Sequence, residues 1–97
     1  MKPADPEQYV PRFGSELGLS DEAKLRARQL LQNAKEKGVH SGKSPVGLAA
    51  ASVYAAALLT NEKTTQAAVS EVADISEVTI RNRYHELLEA EETVGIA

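Results

Sequence analysis

Apolar residues recur along this chain at the spacing of helices, and turns rich in glycine and polar residues divide them into five segments. No stretch alternates apolar and polar residues as a strand does. The first segment begins either at Asp5, where a proline follows the N-cap, or near Pro11, and it ends at Gly18. In both cases the pattern predicts that Phe13 and Leu17 face inward.

The second segment has the signals of a long amphipathic helix. Ser20 is a suitable N-cap, and two acidic residues follow it, where the helix dipole favours negative charge. The helix is predicted to run to Lys37, because Gly38 then terminates it. One apolar stripe at helical spacing marks the face predicted to be buried: Ala23, Ala27, Leu30, Leu31 and Ala34.

The third segment starts at Ser44 and Pro45, an N-cap and a proline at the first helical position, and continues to Leu59. Apolar residues occur all around this helix, and six of its residues are alanines. A helix without a polar face is normally surrounded by other helices, and alanines let those neighbours approach closely. The sequence therefore predicts an all-α bundle of five helices with this one at its centre.

Two further capping signals complete the predicted helices. Thr64 or Thr65 caps a short fourth helix over Gln66–Ala73, after a polar loop. Ser76 caps a fifth helix, predicted from residue 77 to about residue 90. The remainder of the chain carries weaker helix signals and is expected to fray.

The fourth and fifth helices with their turn follow the pattern of a helix-turn-helix, over about residues 65–90. The apolar packing positions of this pattern are Val69, Val72, Ile75 and Ile80. Ser70 is small where the two helices must cross. Asp74 stands at the turn position most often occupied by glycine, and aspartate tolerates a left-handed backbone better than most residues.

The fifth helix divides into two sides when its residues are placed on a helical projection. The side predicted to be buried carries Ile80, Tyr84, Leu87 and Leu88, and the opposite side carries Val78, Arg81, Asn82 and His85. Arginine can donate two hydrogen bonds to guanine, asparagine can address adenine, and valine can pack on a thymine methyl. An isolated amphipathic helix would carry such residues as ordinary surface. The helix and turn before it favour a recognition helix here.

The distribution of charge weakens the case for DNA binding only in part. The net charge of -3 is unfavourable for contact with phosphates, but residues 1–43 hold eight Lys and Arg against six Asp and Glu, whereas residues 44–97 hold three against eight. The basic cluster is interpreted mainly as solvated helix surface, with phosphate contact as the alternative: Lys24, Arg26, Arg28, Lys35, Lys37 and Lys43. We therefore expect the domain alone to bind DNA weakly.

Neither a metal site nor an enzyme is predicted. The chain has no cysteine, and His40 and His85 have no second ligand at metal spacing. The Gly42-Lys43-Ser44 triplet resembles a phosphate-binding loop, but Lys37 occupies the position where a Walker motif needs glycine. The acidic residues are dispersed, with no paired acid and base.

No segment is predicted to enter a membrane. The longest apolar stretch, residues 46–59, is shorter than the roughly 20 residues that span a bilayer. The first residues lack the apolar core of a signal peptide. We expect a soluble protein of the cytoplasm.

Two stretches resemble the TFIIB family, in the second cyclin-like repeat of its archaeal form, transcription factor B. Residues 41–54, SGKSPVGLAAASVY, resemble the Gly-Lys signature that leads into the alanine-rich third helix. Residues 76–87, SEVTIRNRYHEL, resemble the recognition helix of that repeat, and residues 9–13 are similar to its first helix. The resemblance covers the chain from about residue 6 to residue 90.

The resemblance implies one cyclin-like domain over residues 1–97 with a C-terminal helix-turn-helix. It implies that the intact factor binds TATA-binding protein on a bent promoter and helps to recruit RNA polymerase, while this repeat reads the B recognition element upstream of TATA. The zinc ribbon and first repeat of the family lie outside this sequence. An excised piece of a longer protein is therefore expected, with zinc only in that ribbon and no cofactor in this domain.

The resemblance also implies roles for particular residues. Val78 and Arg81 fall on the main base-contacting positions of the family. Weaker candidates for base or phosphate contacts are Thr65, Gln66, Thr79 and Asn82, and candidates for contact with the DNA backbone are Lys43 and Lys63. We expect a monomer, associated with the nucleoid of an archaeal cell, whose binding to DNA depends on its partners because its second half is acidic.

A second interpretation stays open at this point. A cyclin-like fold can serve as a protein-interaction module that ignores DNA. Val78 and Arg81 would then face a groove on a protein, and substitution of either residue separates the two hypotheses.

Overall fold

Five α-helices follow one another in the computed structural model of the chain, which describes the backbone of residues 5–96 and the side chains of residues 5–91. The helices are α1 (Val10–Glu16), α2 (Asp21–Glu36), α3 (Pro45–Leu59), α4 (Gln66–Ala73) and α5 (Glu77–Ile96), and a 3₁₀ turn over Pro6–Tyr9 precedes α1. Within residues 5–96 there is no strand. The predicted all-α class is confirmed.

The helices begin at the predicted capping residues. Asp5 accepts a hydrogen bond from the Glu7 amide at 3.0 Å and starts the 3₁₀ turn, and α1 follows directly with Pro11 in its first turn. The two predicted starts of the first segment therefore correspond to two elements, the 3₁₀ turn after Asp5 and the α-helix around Pro11. Side-chain oxygens accept the corresponding hydrogen bonds at the starts of α2, α3 and α4, from Ser20, Ser44 and Thr65.

The end of α5 differs from the prediction. The helix continues to Ile96, not to about residue 90. At the predicted end, Ala90 is only 6% exposed, and Glu91 forms an ion pair with Arg26 of α2. Contacts with another helix thus stabilise turns for which the local sequence carries no strong signal.

α3 lies at the centre of the fold, as predicted. It packs against the 3₁₀ turn and against all four other helices. Its six alanines are fully buried, and so is Ser52, whose hydroxyl donates a hydrogen bond to the Ala49 carbonyl at 2.7 Å. Small side chains on every face let the surrounding helices approach α3 closely.

The surrounding helices direct their apolar residues at α3. All five residues of the predicted stripe on α2 are buried. The largest buried side chains of the surrounding elements are Val10, Phe13, Leu30, Leu31, Val69, Ile80 and Leu87. Burial of each such side chain contributes roughly 1.5–3 kcal/mol. The rings of Tyr54 and Tyr84 meet edge to face at 5.2 Å and add a contact between α3 and α5.

A polar link joins the start of α2 to the loop that follows α3. The Glu62 carboxylate accepts hydrogen bonds from the Ser20 hydroxyl at 2.6 Å, the Ser20 amide at 2.8 Å and the Thr60 hydroxyl at 2.8 Å. These bonds, foremost that of the Ser20 hydroxyl, hold the pKa of Glu62 below its ordinary value. The charged form of Glu62 therefore stabilises this corner of the fold.

A second polar link fastens the 3₁₀ turn to α2. The Lys35 ammonium lies 2.6 Å from an Asp5 oxygen and 2.8 Å from a Glu7 oxygen. The hydrogen bond from Lys35 is the main cause of the lowered pKa of Asp5. Burial opposes the charge on Lys35, but the hydrogen bonds to the two carboxylates outweigh it and raise the pKa of Lys35.

Close packing of α3 predicts that enlarging one of its alanines destabilises the domain. Ala50→Leu is expected to lower the free energy of unfolding by about 1–3 kcal/mol, because the added carbons overpack the centre. Urea unfolding followed by circular dichroism measures the change. Ala67→Leu on the exposed side of α4 is the matched control, expected to lie within about 0.5 kcal/mol of the original chain. Equal stability of the two variants would contradict this packing.

The Glu62 link predicts a pH-dependent stability. Because the pKa of Glu62 is lowered by folding, its contribution is fully present above the unfolded-state pKa of about 4.3 and is lost as the pH falls through the folded-state value. Glu62→Gln should be less stable than the original chain at neutral pH, and the difference should vanish in acid. Urea unfolding between neutral and acidic pH tests this, with Glu71→Gln as the control, because Glu71 is exposed in the last turn of α4, where the helix dipole does not stabilise a negative charge. A difference that does not change with pH would argue against the charged link.

Candidate nucleic-acid interface

α4 and α5 form a helix-turn-helix around a tight turn at Asp74. This residue has the predicted left-handed backbone, with φ 56° and ψ 45°, and its amide donates to the Ser70 carbonyl. The Ser70 hydroxyl donates to the Ile75 carbonyl at 2.6 Å. The sequence identified Ser70 only as a small residue. The structure shows that its hydroxyl also fixes the turn, which sets the angle between α4 and α5.

The first turn of α5 is ordered by Ser76. Its hydroxyl oxygen accepts from the Thr79 amide at 3.2 Å, and its hydroxyl hydrogen is directed at the Thr79 hydroxyl oxygen at 3.0 Å. The predicted cap is therefore present. It places Thr79 against the bundle, half-buried, and leaves the neighbouring Val78 facing outward.

The exposed side of α5 matches the predicted one. Val78 is 55% exposed, although valine is ordinarily a core residue. Arg81, Asn82 and His85 are exposed on the same side, while Ile80 is fully buried. The helix thus presents an apolar side chain beside hydrogen-bonding groups along one face. This combination suits the edges of bases, which offer both methyl groups and hydrogen-bonding atoms.

Three further candidates lie together around the start of α4. Lys63 and Thr65 are exposed, and Gln66 is half-buried at the first position of the helix. The Thr65 hydroxyl oxygen accepts from the Ala68 amide at 3.0 Å as the helix cap. The α3–α4 loop carries Lys63 and Thr65, and Gln66 follows it directly, so all three residues lie at the C-terminal end of α3.

Lys43 lies at the opposite end of α3 and contacts α5. Its ammonium forms an ion pair with Glu86, which also pairs with Arg83 one turn earlier on α5. A notch of about 270 Å³ opens beside this cluster, lined by Gly42, Lys43, Ser44, Gly47, Thr79 and Arg83. The structure thus brings Lys43 to Thr79 but not to Lys63. Arg83 and Glu86 were not predicted as part of the site, although their spacing of three residues on one helix indicates a pair.

The basic cluster of the first half is largely neutralised within the chain. Ion pairs engage four of its six members, which are Lys24 with Asp21, Arg26 with Glu91, Lys35 with Asp5 and Glu7, and Lys43 with Glu86. The interpretation of this cluster as helix surface is therefore favoured over a continuous track for phosphates. Ion pairs of this exposed kind are individually weak, so an anion can compete for the cations.

The described part of the chain holds neither a cluster of metal ligands nor a membrane-spanning helix. No group of three or more His, Cys, Asp or Glu side chains there is placed to hold a metal ion. None of the helices there has the length and apolar character needed to cross a membrane.

This architecture defines a class, the all-helical repeats that end in a helix-turn-helix. Residues 1–90 match the family described as "Transcription factor TFIIB repeat". The chain belongs to this family, so the resemblance identified in the sequence is confirmed together with the cyclin-like fold. The family groups the chain with transcription factors rather than enzymes, and its repeat is a helical unit without a metal centre.

Several named relatives are close in sequence. The chain is 84% identical over 96 residues to transcription initiation factor IIB 6 of Halobacterium salinarum, covering 99% of this chain and 30% of that protein. It is 80% identical over 97 residues to transcription initiation factor IIB 2 of Haloferax volcanii, covering all of this chain and 29% of that protein. The chain therefore spans under a third of these relatives. A further relative, transcription initiation factor IIB of Haloarcula vallismortis, is 58% identical over 90 residues, which cover 93% of this chain and 79% of that protein.

The left-handed turn predicts different effects for two substitutions at Asp74. Asp74→Val should destabilise the domain by about 1–2 kcal/mol, because a β-branched residue is strained at this φ. Asp74→Gly should be close to neutral, since glycine adopts this backbone freely. Asp74 is exposed, so neither change removes core packing. Thermal unfolding measures both, and a glycine variant as unstable as the valine variant would contradict the role assigned to the backbone.

Proposed function

We propose that this chain is the DNA-reading repeat of a general transcription initiation factor and that it binds the B recognition element of promoters together with TATA-binding protein. The observation that carries the proposal is the exposed face of α5, where Val78, Arg81 and Asn82 stand beyond a helix-turn-helix. The names of the relatives support the assignment to transcription initiation. Their greater length means that the activities of an intact factor belong to this proposal as well.

In the proposed complex, α5 enters the major groove with its N-terminal half. Arg81 donates two hydrogen bonds to a guanine, Asn82 pairs with an adjacent adenine, and Val78 packs on a thymine methyl. Each good bidentate pair discriminates against the wrong base by about 1–3 kcal/mol. Selectivity thus comes from few side chains, all on the exposed face of one helix.

Phosphate contacts fix the register of this helix on the duplex. Lys63, Thr65 and Gln66 at the start of α4 are assigned to one stretch of backbone, because the first helix of a helix-turn-helix crosses it. Thr79 and Lys43 are assigned to backbone contacts on the other side of the site. With a net charge of -3 these contacts give low affinity, so binding is supported by partners.

The proposed partners are promoter DNA, TATA-binding protein and, through the intact factor, RNA polymerase. The chain acts as one monomeric domain, residues 1–97, in the cytoplasm of an archaeal cell near the nucleoid. It needs no cofactor of its own in this role, because base readout uses side-chain hydrogen bonds and apolar contacts alone.

One observation favours the alternative, a protein-interaction module without DNA readout. A groove of about 1000 Å³ lies between α1, the end of α3 and α4, and its lining includes Leu17, Leu58 and Val72. Leu58 is 44% exposed. Beside these apolar side chains the lining holds three carboxylates, those of Glu16, Glu62 and Glu71, and one lysine, Lys63. A partly apolar and mainly acidic groove suits a protein partner better than a phosphate backbone.

An NMR titration of the labelled domain separates the two functions. The domain is mixed with a duplex carrying a B recognition element and TATA box, or with a scrambled duplex, each with and without TATA-binding protein. Sequence-specific shifts at Val78, Thr79, Arg81 and Asn82 support DNA readout. Shifts confined to the groove, seen only with the protein partner and on either duplex, would establish the interaction module instead.

Base readout by α5 predicts a selective loss in one variant. Arg81→Ala should weaken binding to the recognition-element duplex by about 1–3 kcal/mol and relax the preference at one base pair. Arg28→Ala, an exposed arginine of α2, is the matched control for loss of charge. Fluorescence anisotropy with duplexes altered at single positions measures both. An equal loss for Arg81→Ala on every sequence would show that Arg81 contacts only the backbone.

A further inference from the structure

Glu86 occupies an unusual position, because its one carboxylate pairs with two cations. It lies at the border of the reading face, by which we mean the exposed side of α5 that carries Val78, Arg81 and Asn82. Lys43 from the α2–α3 loop and Arg83 from α5 both pair with it. The three side chains are about equally accessible, with 26% of Lys43, 25% of Arg83 and 27% of Glu86 exposed. Water and dissolved ions therefore reach the cluster, and the ion pairs can exchange.

The notch beside these cations is shaped for a small anion. It holds about 270 Å³, and its lining adds Ser44 and Thr79, two residues with hydroxyl groups, to the two cations. Gly42 contributes no side chain to fill the notch, and Gly47 lets the Thr79 side chain approach α3 closely. Glu86 engages only the Nη1 atom of Arg83, which leaves other guanidinium N–H groups for a second acceptor. With two cations and one carboxylate, the cluster keeps a net charge of +1 before any ligand binds.

The notch also lies next to the reading face, on a side of α5 that a DNA backbone would border. Thr79, Arg83 and Glu86 follow one another at helical spacing on α5, directly beside the row formed by Val78 and Asn82. An α-helix about 10–12 Å across fills a major groove about 12 Å wide, so the two phosphate backbones border its sides. A side of α5 adjacent to the reading face therefore meets a backbone.

We propose that this notch binds one phosphate of the DNA backbone and that Glu86 is the internal counter-ion which the phosphate displaces from Lys43 and Arg83. The identity of the ligand as DNA rests on the function proposed above. In free protein Glu86 holds the two cations and orients them. In the complex its negative charge opposes the phosphate, so Glu86 limits affinity for every DNA sequence and leaves selectivity to Val78 and Arg81.

Charge removal at Glu86 tests the proposal. Affinities are measured for the recognition-element duplex and the scrambled duplex, in the presence of TATA-binding protein, from the lowest salt at which circular dichroism shows every variant folded. Glu86→Gln should bind both duplexes about threefold to tenfold more tightly at that salt, and the slope of log affinity against log salt should steepen by about 0.9. Glu7→Gln is the matched control, because it makes the same change of net charge and also removes a carboxylate from an ion pair with a lysine, Lys35. Glu7 lies in the 3₁₀ turn, which contacts neither α4 nor α5, so its substitution should change affinity by less than about twofold.

A double-mutant cycle shows whether the gain in DNA affinity on removal of the Glu86 charge acts through Lys43. Lys43→Ala should weaken binding more in the Glu86→Gln background than in the original chain, where Glu86 already competes for the ammonium. Equal behaviour of Glu86→Gln and Glu7→Gln, or equal effects of Lys43→Ala in both backgrounds, would overturn the proposal. A failure of the proposed function would give a different result. The original chain would then bind the two duplexes equally well, while the effect of Glu86→Gln on affinity could still be measured with each duplex.

Discussion

The burial of most of α3 is the constraint on which the rest of this structure depends. A helix with no polar face is stable only when other elements cover it, and here the 3₁₀ turn and the four other helices do so along most of its length, leaving Leu58 and Leu59 exposed at its end. Its six buried alanines let the neighbouring helices approach closely. The position of α5 follows from this packing, since Ile80 and Leu87 are fully buried and thereby fix which side of α5 faces solvent.

The two ends of α3 are held by polar contacts of different kinds. At its C-terminal end, Glu62 binds the start of α2 through hydrogen bonds that favour the charged carboxylate. At its N-terminal end, Lys43 reaches α5 through Glu86. The first contact joins structural elements only. The second lies beside the proposed interface, and in our proposal the same ion pair that holds the loop also limits the affinity for phosphates.

In an acidic domain that binds DNA, the contacts that select a base sequence differ from those that provide general affinity for DNA. Base-edge contacts by Val78, Arg81 and Asn82 need no excess of positive charge, whereas general affinity for DNA does. Because most members of the basic cluster are paired within the chain, we expect the attraction of this domain to arbitrary DNA to be weak. In the function we propose, a partner already bound to the promoter supplies the missing affinity, and α5 supplies the choice of sequence.

Much of this protein was determined by the sequence itself, because the signals are local. A capping serine, a left-handed Asp74 and an apolar stripe act within one or two helical turns, so the helix starts, the turn and the buried and exposed faces of α5 were all predictable. The tertiary structure alone decided the length of α5 and the pairing of Glu86 with Lys43. Arg26 meets Glu91, and Lys43 meets Glu86, across long stretches of chain. Such pairs carry no periodic signal, because only the packing around α3 brings their partners together.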